Sequence, residues 1–540
     1  MKTLLLSSLT KIFKEKEPNF KELEAFSCLK NEKFSFQLAF LSENKNENKI
    51  SISVKSPLAE DLKLYYVKDI PAGKTGYDNS DSFHYDLERK SFPDLLMPIK
   101  DEIAVKKGEW NSIWVEYSPK RAVTGKKKIT LTLTAGETVV EKTFTLNIID
   151  KELPKQELLF TNWFHNDCLC TYYGVEVFSE EYWRIVENYI RNAAEHGVNM
   201  LLTPVFTPPL DTAVGGERPT VQLVKVTKEN NKYYFDFENF RRYIKLCLDC
   251  GIEAFEISHF FTQWGAKHAP KIVAEVDGKI KKIFGWETDA LGESYKSFLK
   301  SLLPELVKYL KEKGVDKQCF YHVSDEPSME VLEHYKACRE ILSESLSEYP
   351  IIDALSNVEF YNTGAITKPV PSIGRIKKFL EKNIDGLWAY YCGEGENRTT
   401  CRLFAHTLTR TRILGVQMYK FNIEGFLHWG YNFYNNWNSY DTVDPCLDST
   451  GNYFVPSGDT YLVYPGKDGK ALESIRLNAL REAMDDIRAL QLCEELYGRE
   501  YTVKLIDDTA GMDLTFYDYP KTPDFLLKLR DKIALAIENK

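Results

Sequence analysis

The sequence predicts a multidomain protein of the β plus α/β class, with an N-terminal β-sandwich followed by a (β/α)8 TIM-like barrel. Two observations predict this class. Over residues 1–152, short segments alternate apolar and polar residues between clusters of Gly, Asn, Asp and Pro, which is typical of the strands of a β-sandwich. From residue 153 onward, apolar strand-like runs alternate with amphipathic helices, which is typical of βα units.

Six alternating segments are the predicted strands of the N-terminal domain, which we place at residues 1–152. They are residues 33–40, 49–54, 62–67, 112–117, 128–134 and 139–148. The chain begins with a short apolar run that Ser7 and Ser8 interrupt, and no signal-peptide cleavage pattern follows it. We therefore expect residues 1–13 to belong to the mature protein.

Eight apolar runs are the predicted strands of the barrel, which we place at residues 153–500. They are residues 158–164, 198–203, 252–258, 318–324, 351–355, 384–390, 423–429 and 461–464, with insertions after the second and third. The helix after the first strand has an N-cap at Ser179 and ends at Gly197. An open doubly wound sheet is the alternative, but no Gly-rich phosphate-binding turn follows any predicted strand. Residues 501–540 are predicted to form a helical tail that packs on the barrel.

The charge and hydropathy of the chain argue against nucleic acid and membranes as binding partners. The 540 residues include 70 Lys and Arg against 79 Asp and Glu, which gives a formal net charge of −9. An acidic chain without a basic tract is not typical of proteins that bind nucleic acid, and no segment is apolar over the length that a membrane crossing needs. The eleven cysteines are scattered and odd in number, which favours reduced thiols in the cytoplasm. We expect no cofactor and no metal, and Cys247 and Cys250 are predicted to lie in a helical core stripe.

Polar and aromatic residues collect at the carboxyl ends of the predicted barrel strands, where the active site of such a barrel lies. The candidate catalytic residues are Asp325 and Glu326. The candidate substrate contacts are His165, His259, Trp264, Trp388, Tyr390, Tyr391, Trp429, Asn432 and Trp437, and Trp163 belongs to the same aromatic set. Aromatic rings suit the flat C–H faces of sugars, so these positions predict a small-molecule carbohydrate as the partner.

Asp325 and Glu326 carry the most information, because two adjacent carboxylates without partners cannot both be buried in a barrel core. The alternative is that they only complement the dipole of a helix that begins near Ser328. Neighbours on an extended chain point to opposite sides, so such a pair rarely flanks a glycosidic bond in the usual two-carboxylate way. The pair suits a mechanism in which one carboxyl group protonates the leaving oxygen while the other positions a 2-acetamido nucleophile that belongs to the substrate.

Five ordered segments carry a family resemblance. They are FYHVSDEP (residues 320–327), DGLWAYY (385–391), EGFLHWGYN (424–432), YLVYPG (461–466) and SIRLNALREAMDDIRAL (474–490). Together they resemble the catalytic domain of glycoside hydrolase family 123 and its relatives of unknown function, over most of residues 155–497. The resemblance implies a retaining exo-β-N-acetylgalactosaminidase that acts on a terminal β-linked 2-acetamido sugar by substrate-assisted, oxazoline-type catalysis.

The resemblance also implies a role for each carboxylate. Asp325 would orient and polarise the acetamido group, and Glu326 would be the general acid and afterwards the base that activates water. These roles require Glu326 to be held protonated near neutral pH, while Asp325 has a mainly electrostatic task. By position, Tyr390 or Tyr391 would contact the acetamido oxygen, and Trp388 and Trp429 would be walls of the sugar site.

Two other hypotheses remain open. A conventional retaining glycosidase would use Glu326 with another nucleophile, for which Glu359 is a candidate, whereas Glu424 lies near the wrong end of its strand. A non-catalytic carbohydrate-binding barrel would bind sugar without turnover.

Overall fold

Two five-stranded β-sheets form the N-terminal part of the protein in the computed structural model, which describes residues 1–44, 46–76, 81, 83–393 and 398–540. The strands are β1 Lys2–Ser7, β2 Ala25–Leu29, β3 Phe34–Leu41, β4 Lys49–Lys55, β5 Leu62–Pro71, β6 Ser91–Pro98, β7 Ile103–Ala104, β8 Trp110–Tyr117, β9 Gly125–Ala135 and β10 Thr138–Ile149. One sheet has the order β1-β3-β8-β5-β6, and the other has the order β2-β10-β9-β4-β7.

The two sheets share an apolar core because their strands alternate buried and more exposed residues. In β9, Ile129, Leu131 and Leu133 are buried while the residues between them are partly exposed. Across the core, the ring of Phe36 in β3 stacks on that of Phe144 in β10, with ring centroids 4.1 Å apart. All six strands that the sequence predicts in this part are present.

The sequence missed strands at positions where local signals are weak or contrary. The clearest case is β6, which contains Pro93 and Pro98, and proline lowers the expectation of a strand because it cannot donate to the ladder. In the structure β6 lies at the edge of its sheet, and the pairing register shifts beside Pro93, between Lys68 and Asp69 of β5. An edge position and a bulge are the places where a sheet tolerates proline.

A curled parallel sheet is the centre of the second part of the chain. The strands of this part are β11 Leu159–Asn162, β12 Met200–Thr203, β13 Lys225–Glu229, β14 Lys232–Asp236, β15 Ala254–Ile257, β16 Ile272–Val276, β17 Lys279–Phe284, β18 Cys319–Phe320, β19 Ile352–Ala354, β20 Lys368–Val370, β21 Trp388–Tyr390, β22 Gly425–His428, β23 Tyr464–Pro465 and β24 Ala471–Leu472. Six strands pair in parallel in the order β18-β15-β12-β11-β22-β21, and β19 pairs in parallel with β20. The class that the sequence predicts, β plus α/β in a multidomain chain, is confirmed.

The helices lie around this sheet and at the carboxyl end of the chain. They are α1 Asn166–Tyr173, α2 Glu180–Glu195, α3 Glu238–Asp249, α4 Glu293–Lys313, α5 Leu332–Leu346, α6 Glu359–Asn362, α7 Lys377–Leu380, α8 Leu408–Arg412, α9 Leu414–Lys420, α10 Ile475–Tyr497, α11 Arg499–Ala510 and α12 Pro523–Glu538. In α2 the Ser179 side chain accepts a hydrogen bond from the N–H of Tyr182, which is the cap that the sequence predicts. In the described ranges, no helix has the length and apolar character that crossing a bilayer requires.

One predicted barrel strand is wrong. Residues 461–464 do not join the parallel sheet: Tyr464 begins β23, which pairs antiparallel with β24. The sequence also missed β20, which pairs in parallel with β19 in a separate two-stranded sheet, because β20 is only three residues long and contains Pro369. The predicted insertions after the second and third strands are present, and β13, β14, β16 and β17 form a separate four-stranded sheet.

Buried ion pairs join the N-terminal sheets to the later helices. Arg476 of α10 donates two hydrogen bonds of 2.9 Å to Asp94 of β6, and both side chains are fully buried. Arg530 of α12 contacts Glu32 at 2.5 Å, and α12 packs on β2 as well as on α10. Breaking a buried pair of this kind leaves an uncompensated charge, which fixes how the parts fit together.

Candidate active site

Two adjoining cavities open at the carboxyl ends of the parallel strands. The first, which we call the carboxylate cavity, has a volume of about 340 Å³ and the second, the outer cavity, about 420 Å³. Both are lined by Glu326 and Tyr390, so these two side chains form the wall between them. The carboxylate cavity is further lined by Trp163, Asp211, Gln263, Trp264, Asp325, Ala354, Cys392, Gly393, Leu427, Trp429, Phe454, Val455 and Asp459.

The two predicted catalytic carboxylates line the same cavity because the backbone turns between them. Glu326 has φ of +43°, in the left-handed region that a non-glycine residue seldom adopts. Its N–H donates to the carbonyl of Ala354 (3.0 Å), and the carbonyl of Asp325 accepts from the N–H of Trp264 (2.9 Å). An extended chain would direct the neighbours to opposite sides, so this conformation is what brings Asp325 and Glu326 to one cavity.

Left-handed backbone recurs around this cavity. Asp211 has φ of +46° and Trp264 has φ of +59°, in addition to Glu326. Such conformations cost on the order of 1–3 kcal/mol each and persist where the surrounding structure imposes them, which is a feature of functional sites. Their concentration at three cavity residues marks this cavity rather than the other surface depressions as the candidate active site.

Asp325 lies at the buried end of the pair, with only 4% of its surface exposed. Gln263 donates from Nε2 to Oδ2 of Asp325 (2.8 Å), and its Oε1 accepts from the N–H of Asp211 (2.8 Å), so one amide fixes both residues. Burial raises the pKa of Asp325 well above its usual value, and repulsion from Glu326 and Asp211 adds to the rise. Burial likewise raises the pKa of Asp211, to about 6.

Glu326, in contrast, is exposed at the junction of the two cavities. The phenol of Tyr390 donates to its Oε1 at 2.6 Å. Burial raises the pKa of Tyr390 well above its ordinary value, so the phenol keeps the proton that it donates. The family resemblance implies a raised pKa for Glu326, and the structure adds that burial raises the pKa of its neighbour Asp325.

Asp459 is a further carboxylate that lines the carboxylate cavity. Asp459 accepts hydrogen bonds at Oδ2 from the indole of Trp429 (3.1 Å) and the N–H of Gly393 (3.0 Å), and at Oδ1 from Nε2 of His428 (3.2 Å). Burial opposes ionisation of Asp459, but the bond from His428 and the charge of Arg402 lower its pKa. Burial lowers the pKa of His428 to about 3, so the imidazole is neutral, donates from Nε2 and accepts from Gly430 at Nδ1.

A buried hydrogen-bond network supports the floor of the carboxylate cavity. His322 lies between Glu256 (2.7 Å) and Asp353 (2.9 Å), and all three side chains are fully buried. Burial disfavours the charged imidazole, but the bonds to Asp353 and Glu256 raise the pKa of His322 to about 9. Glu256 also accepts from the indole of Trp163 (2.7 Å), which fixes a cavity wall from below.

Five of the predicted site residues line the carboxylate cavity, namely Asp325, Glu326, Trp264, Tyr390 and Trp429. Trp163 of the predicted aromatic set lines it as well. Trp264 is 52% exposed, so it lies at the mouth, whereas Trp163 is buried. Trp163 and Trp429 each donate the indole N–H to a carboxylate, which sets the orientation of their faces.

The structure does not bring Trp388, Tyr391 or His259 to the cavity. Trp388 is fully buried inside the curled sheet, where it packs against Phe320. It lies two residues before Tyr390 on the same strand and therefore on the same face, but deeper in the sheet. Tyr391 points to the outer face of the sheet because successive strand residues alternate, and its ring packs on Phe426. His259 is buried and stacks on His322, with ring centroids 4.1 Å apart.

His165, Asn432 and Trp437 also lie away from the cavity. His165 bonds to the carbonyl of Trp429 (2.8 Å) and Asn432 bonds to the backbone N–H and carbonyl of His165, so both clamp two strand ends together. Burial lowers the pKa of His165 to about 4. Trp437 is 56% exposed on a short 3-10 turn and does not line either cavity.

Sequence reasoning missed Asp211, Gln263 and Asp459. Asp211 lies in the insertion after β12, where no periodic pattern in the sequence indicates which way a side chain points. Asp459 precedes residues 461–464, and the incorrect strand predicted there would have put it at the wrong end of the barrel. Gln263 is uncharged, and only its position beside Trp264 could have suggested it.

Three buried clusters in the described ranges have the residue types of metal ligands. They are His165, Asp167 and Cys168; His259, His322 and Asp353; and Glu116, His196 and Glu473. Each cluster contains a carboxylate that already has a partner in the protein: Arg218 donates to both oxygens of Asp167, His322 bonds to Asp353, and His196 lies 3.3 Å from Glu473. None of the three lines the carboxylate cavity.

Comparisons with known proteins agree on one family for the larger part of the chain. The family model described as "Glycoside hydrolase 123, catalytic domain" matches residues 163–493. No curated protein matches the chain. Among solved structures, a family 123 glycoside hydrolase from Clostridium perfringens, studied for glycolipid glycan hydrolysis, has a TM-score of 0.73 at 14% identity, over 100% of this chain and 97% of that chain.

Two more distant solved structures are also glycosidases. A β-glucuronidase from Parabacteroides merdae has a TM-score of 0.32 at 10% identity, over 83% of this chain and 49% of that chain. An endo-β-1,4-mannanase from Thermotoga petrophila has a TM-score of 0.35 at 11% identity, over 63% of this chain and 78% of that chain.

Proposed function

Since this chain belongs to glycoside hydrolase family 123 and is therefore a glycosidase, we propose that it is a retaining exo-β-N-acetylgalactosaminidase that uses the 2-acetamido group of its substrate as the nucleophile. One observation carries the proposal: the left-handed conformation of Glu326 directs two adjacent carboxyl groups into a single cavity. A cavity of about 340 Å³ suits one terminal sugar residue.

In the first step, Glu326 donates its proton to the glycosidic oxygen as the bond from C1 to that oxygen breaks. The acetamido oxygen forms the new bond to C1, which gives an oxazolinium-type intermediate and releases the aglycone as an alcohol. Glu326, now a carboxylate, then takes a proton from water as that water attacks C1, and the acetamido group is restored. Two displacements at C1 retain its configuration.

Asp325 is placed to hold the acetamido N–H. Its carboxylate would accept that N–H and stabilise the positive charge that develops on the acetamido group. Burial raises the pKa of Asp325. A bound acetamido N–H is a hydrogen-bond donor that favours the ionised form of Asp325. The bound sugar ring also excludes water from Glu326, which favours its protonated form. Substrate binding therefore moves each carboxyl group toward the protonation state that the mechanism requires.

The walls of the carboxylate cavity have the chemistry of a sugar subsite. The indole rings of Trp163, Trp264 and Trp429 offer flat faces to C–H groups. Asp459 is held ionised and accepts hydrogen bonds, so its carboxylate suits sugar hydroxyl groups. The phenol of Tyr390 donates its hydrogen bond to Glu326, so we propose that Tyr390 orients the general acid.

We also propose the finer architecture and location. Single parallel bridges between Tyr321 and Ile351 and between Ser372 and Tyr390 join the two parallel sheets, which supports a complete eight-stranded barrel over residues 153–500. The packing of β3 on β10 supports an N-terminal β-sandwich over residues 1–152. The lack of disulfides in the described ranges supports a reducing compartment, the cytoplasm.

The test is a panel of chromogenic β-glycosides with and without the 2-acetamido group, in the galacto and gluco series. We expect turnover only with the acetamido group and faster turnover in the galacto series. Glu326→Ala should abolish cleavage of natural glycosides and retain part of the activity on aryl glycosides whose leaving group needs no proton.

Two outcomes would favour the other hypotheses. Turnover of sugars that lack the acetamido group, together with loss of activity in Glu359→Ala, would indicate a conventional retaining glycosidase. Sugar binding without turnover, unchanged in Asp325→Ala/Glu326→Ala, would indicate a non-catalytic carbohydrate-binding protein. We expect Glu359→Ala to behave as wild type, because Glu359 lines neither cavity.

A further inference from the structure

The outer cavity has a charge that the proposed hydrolysis of a neutral glycoside does not use. It is lined by Pro327, Ser328, Met329, Ser356, Asn357, Val358, Arg375 and Lys378, in addition to Glu326 and Tyr390. Two cations therefore face one acidic side chain, in a chain whose net charge is −9. This local excess of positive charge is opposite in sign to that of the whole protein.

Arg375 and Lys378 are available to a ligand. Both are exposed, and neither forms an ion pair or a side-chain hydrogen bond with any residue that the structure describes. Lys368, at the start of β20 and outside the cavity, differs in having a carboxylate partner, Glu424, at 2.6 Å. Arg375 ends the 3-10 turn Ile373–Arg375 and Lys378 lies one turn later in α7, so the two cations come from one short segment.

The position of Glu326 relates the outer cavity to the reaction. Glu326 faces both cavities, and in the proposed mechanism its carboxyl group protonates the oxygen between the sugar and the leaving group. If the terminal sugar occupies the carboxylate cavity, the leaving group must extend across Glu326 into the outer cavity. The substituents of the leaving group then meet Arg375 and Lys378.

We infer that the leaving group is an acidic sugar, whose carboxylate or sulfate is bound by Arg375 and Lys378. The guanidinium of Arg375 can bind two oxygens of either group side by side, and the ammonium of Lys378 adds a point charge. Ser328, Ser356 and Asn357 supply neutral donors and acceptors for the hydroxyl groups of that sugar. The inference rests on the proposed function and adds to it the chemical class of the aglycone.

The experiment compares three disaccharides with the same terminal β-linked N-acetylgalactosamine. The second sugar is a neutral hexose, the matching hexuronate or the matching 6-sulfated hexose, so the arms separate a carboxylate from a sulfate. We expect kcat/KM to be about 10-fold higher for at least one acidic arm than for the neutral arm. In about 1 M NaCl, where the Debye length is about 3 Å, this preference should largely disappear.

Two variants and a matched control locate the effect. Arg375→Ala and Lys378→Ala should each lower kcat/KM for the preferred acidic substrate about 3–10-fold and leave the neutral substrate unchanged. Lys377→Ala removes an exposed cation of the same helix that does not line the cavity, and should change neither. Equal kcat/KM in all three arms, with no effect of the variants, would overturn the inference and leave the proposed function standing. If none of the three disaccharides is cleaved, both the inference and the proposed function are overturned.

Discussion

At the scale of single residues, the site depends on how one carboxyl group is oriented beside another. The φ of +43° at Glu326 directs it toward the cavity that Asp325 already lines, and Tyr390 then fixes its Oε1. Gln263 does the same for Asp325 from the other side. Each carboxyl group thus has its own neutral hydrogen-bond donor, Tyr390 for Glu326 and Gln263 for Asp325. Although the two carboxyl groups are adjacent in sequence, they have different surroundings.

The contact from Tyr390 gives the prediction at this scale. Tyr390→Phe removes one hydroxyl group and keeps the ring, so Glu326 loses the donor that orients it. We expect kcat/KM for a natural glycoside to fall about 10–100-fold, which corresponds to about 1.4–2.7 kcal/mol, because a hydrogen bond to a charged group is worth about 1.5–3 kcal/mol. The measurement is steady-state kinetics of purified variants.

Tyr391→Phe is the matched control for this prediction. The hydroxyl of Tyr391 is buried without a hydrogen-bond partner in the described part of the chain, and its ring lies outside the cavity. We expect wild-type kinetics and equal or higher stability. Equal losses of activity in both variants would contradict the role given to Tyr390.

At the scale of elements, neighbouring strands of the parallel sheet approach each other through specific side-chain sizes. Trp388 on β21 faces Gly425 on β22, and the two residues are paired in register. A Cβ atom built on Gly425 would lie 2.2 Å from two carbons of the Trp388 ring. Trp388 is therefore part of the interior of the sheet, and glycine is the residue that leaves room for it.

This contact predicts that Gly425→Ala lowers stability rather than substrate affinity. We expect a loss of about 1–3 kcal/mol in the free energy of unfolding, because the new methyl group overpacks the interior, and an unchanged KM in the folded protein. Denaturant unfolding and kinetics on the same preparation test both parts. Adding Trp388→Phe should restore part of the stability, since it frees space at the same contact; additive losses in the double variant would argue against the contact.

The elements show which sequence signals were sufficient. Long alternating strands such as β9 and the capped helix α2 were predicted because burial on one face leaves a period in the sequence. Short strands such as β20 leave no period, and Pro369 argues against a strand although its neighbours pair on both sides of it. Residues 461–464 show the opposite error, a predicted barrel strand that is not one. They are apolar because they are buried, although only Tyr464 belongs to a strand and that strand pairs antiparallel with β24.

At the scale of the whole molecule, two buried cations couple the fold to pH with opposite signs. The bonds of His322 to Asp353 and Glu256 overcome burial and raise its pKa to about 9. Burial lowers the pKa of Lys11 to about 7, although its ammonium group bonds to the carbonyl of Phe404 (2.6 Å) between the two halves of the chain. His322 thus binds its proton more tightly in the folded protein, and Lys11 binds its proton less tightly.

The coupling predicts two different pH profiles. The stability from His322 is complete below its unfolded pKa of about 6.5 and is lost as pH rises through about 9, whereas the penalty from Lys11 is relieved as pH rises above about 7. Lys11→Met removes the gain in stability that deprotonation of Lys11 supplies above pH 7, so between pH 6 and pH 10 the free energy of unfolding should fall by on the order of 4 kcal/mol relative to wild type. In His322→Gln it should rise over the same range relative to wild type. Denaturant unfolding at both pH values measures this, and parallel profiles in wild type and both variants would contradict it.

The sequence by itself determined the β plus α/β class of the fold and singled out the adjacent Asp325 and Glu326 as candidate site residues, because hydrophobic period, caps and adjacent charges are local properties of a chain. The tertiary structure decided which aromatic residues surround the pair. Trp388 and Tyr390 are two positions apart on one strand, yet Trp388 fills the interior of the sheet and Tyr390 contacts Glu326. It also decided the approach of Asp211, Gln263 and Asp459, which come from distant loops, and the φ of Glu326, whose N–H donates to the carbonyl of Ala354 on β19. Distances between residues far apart in the chain follow from packing, which no local pattern encodes.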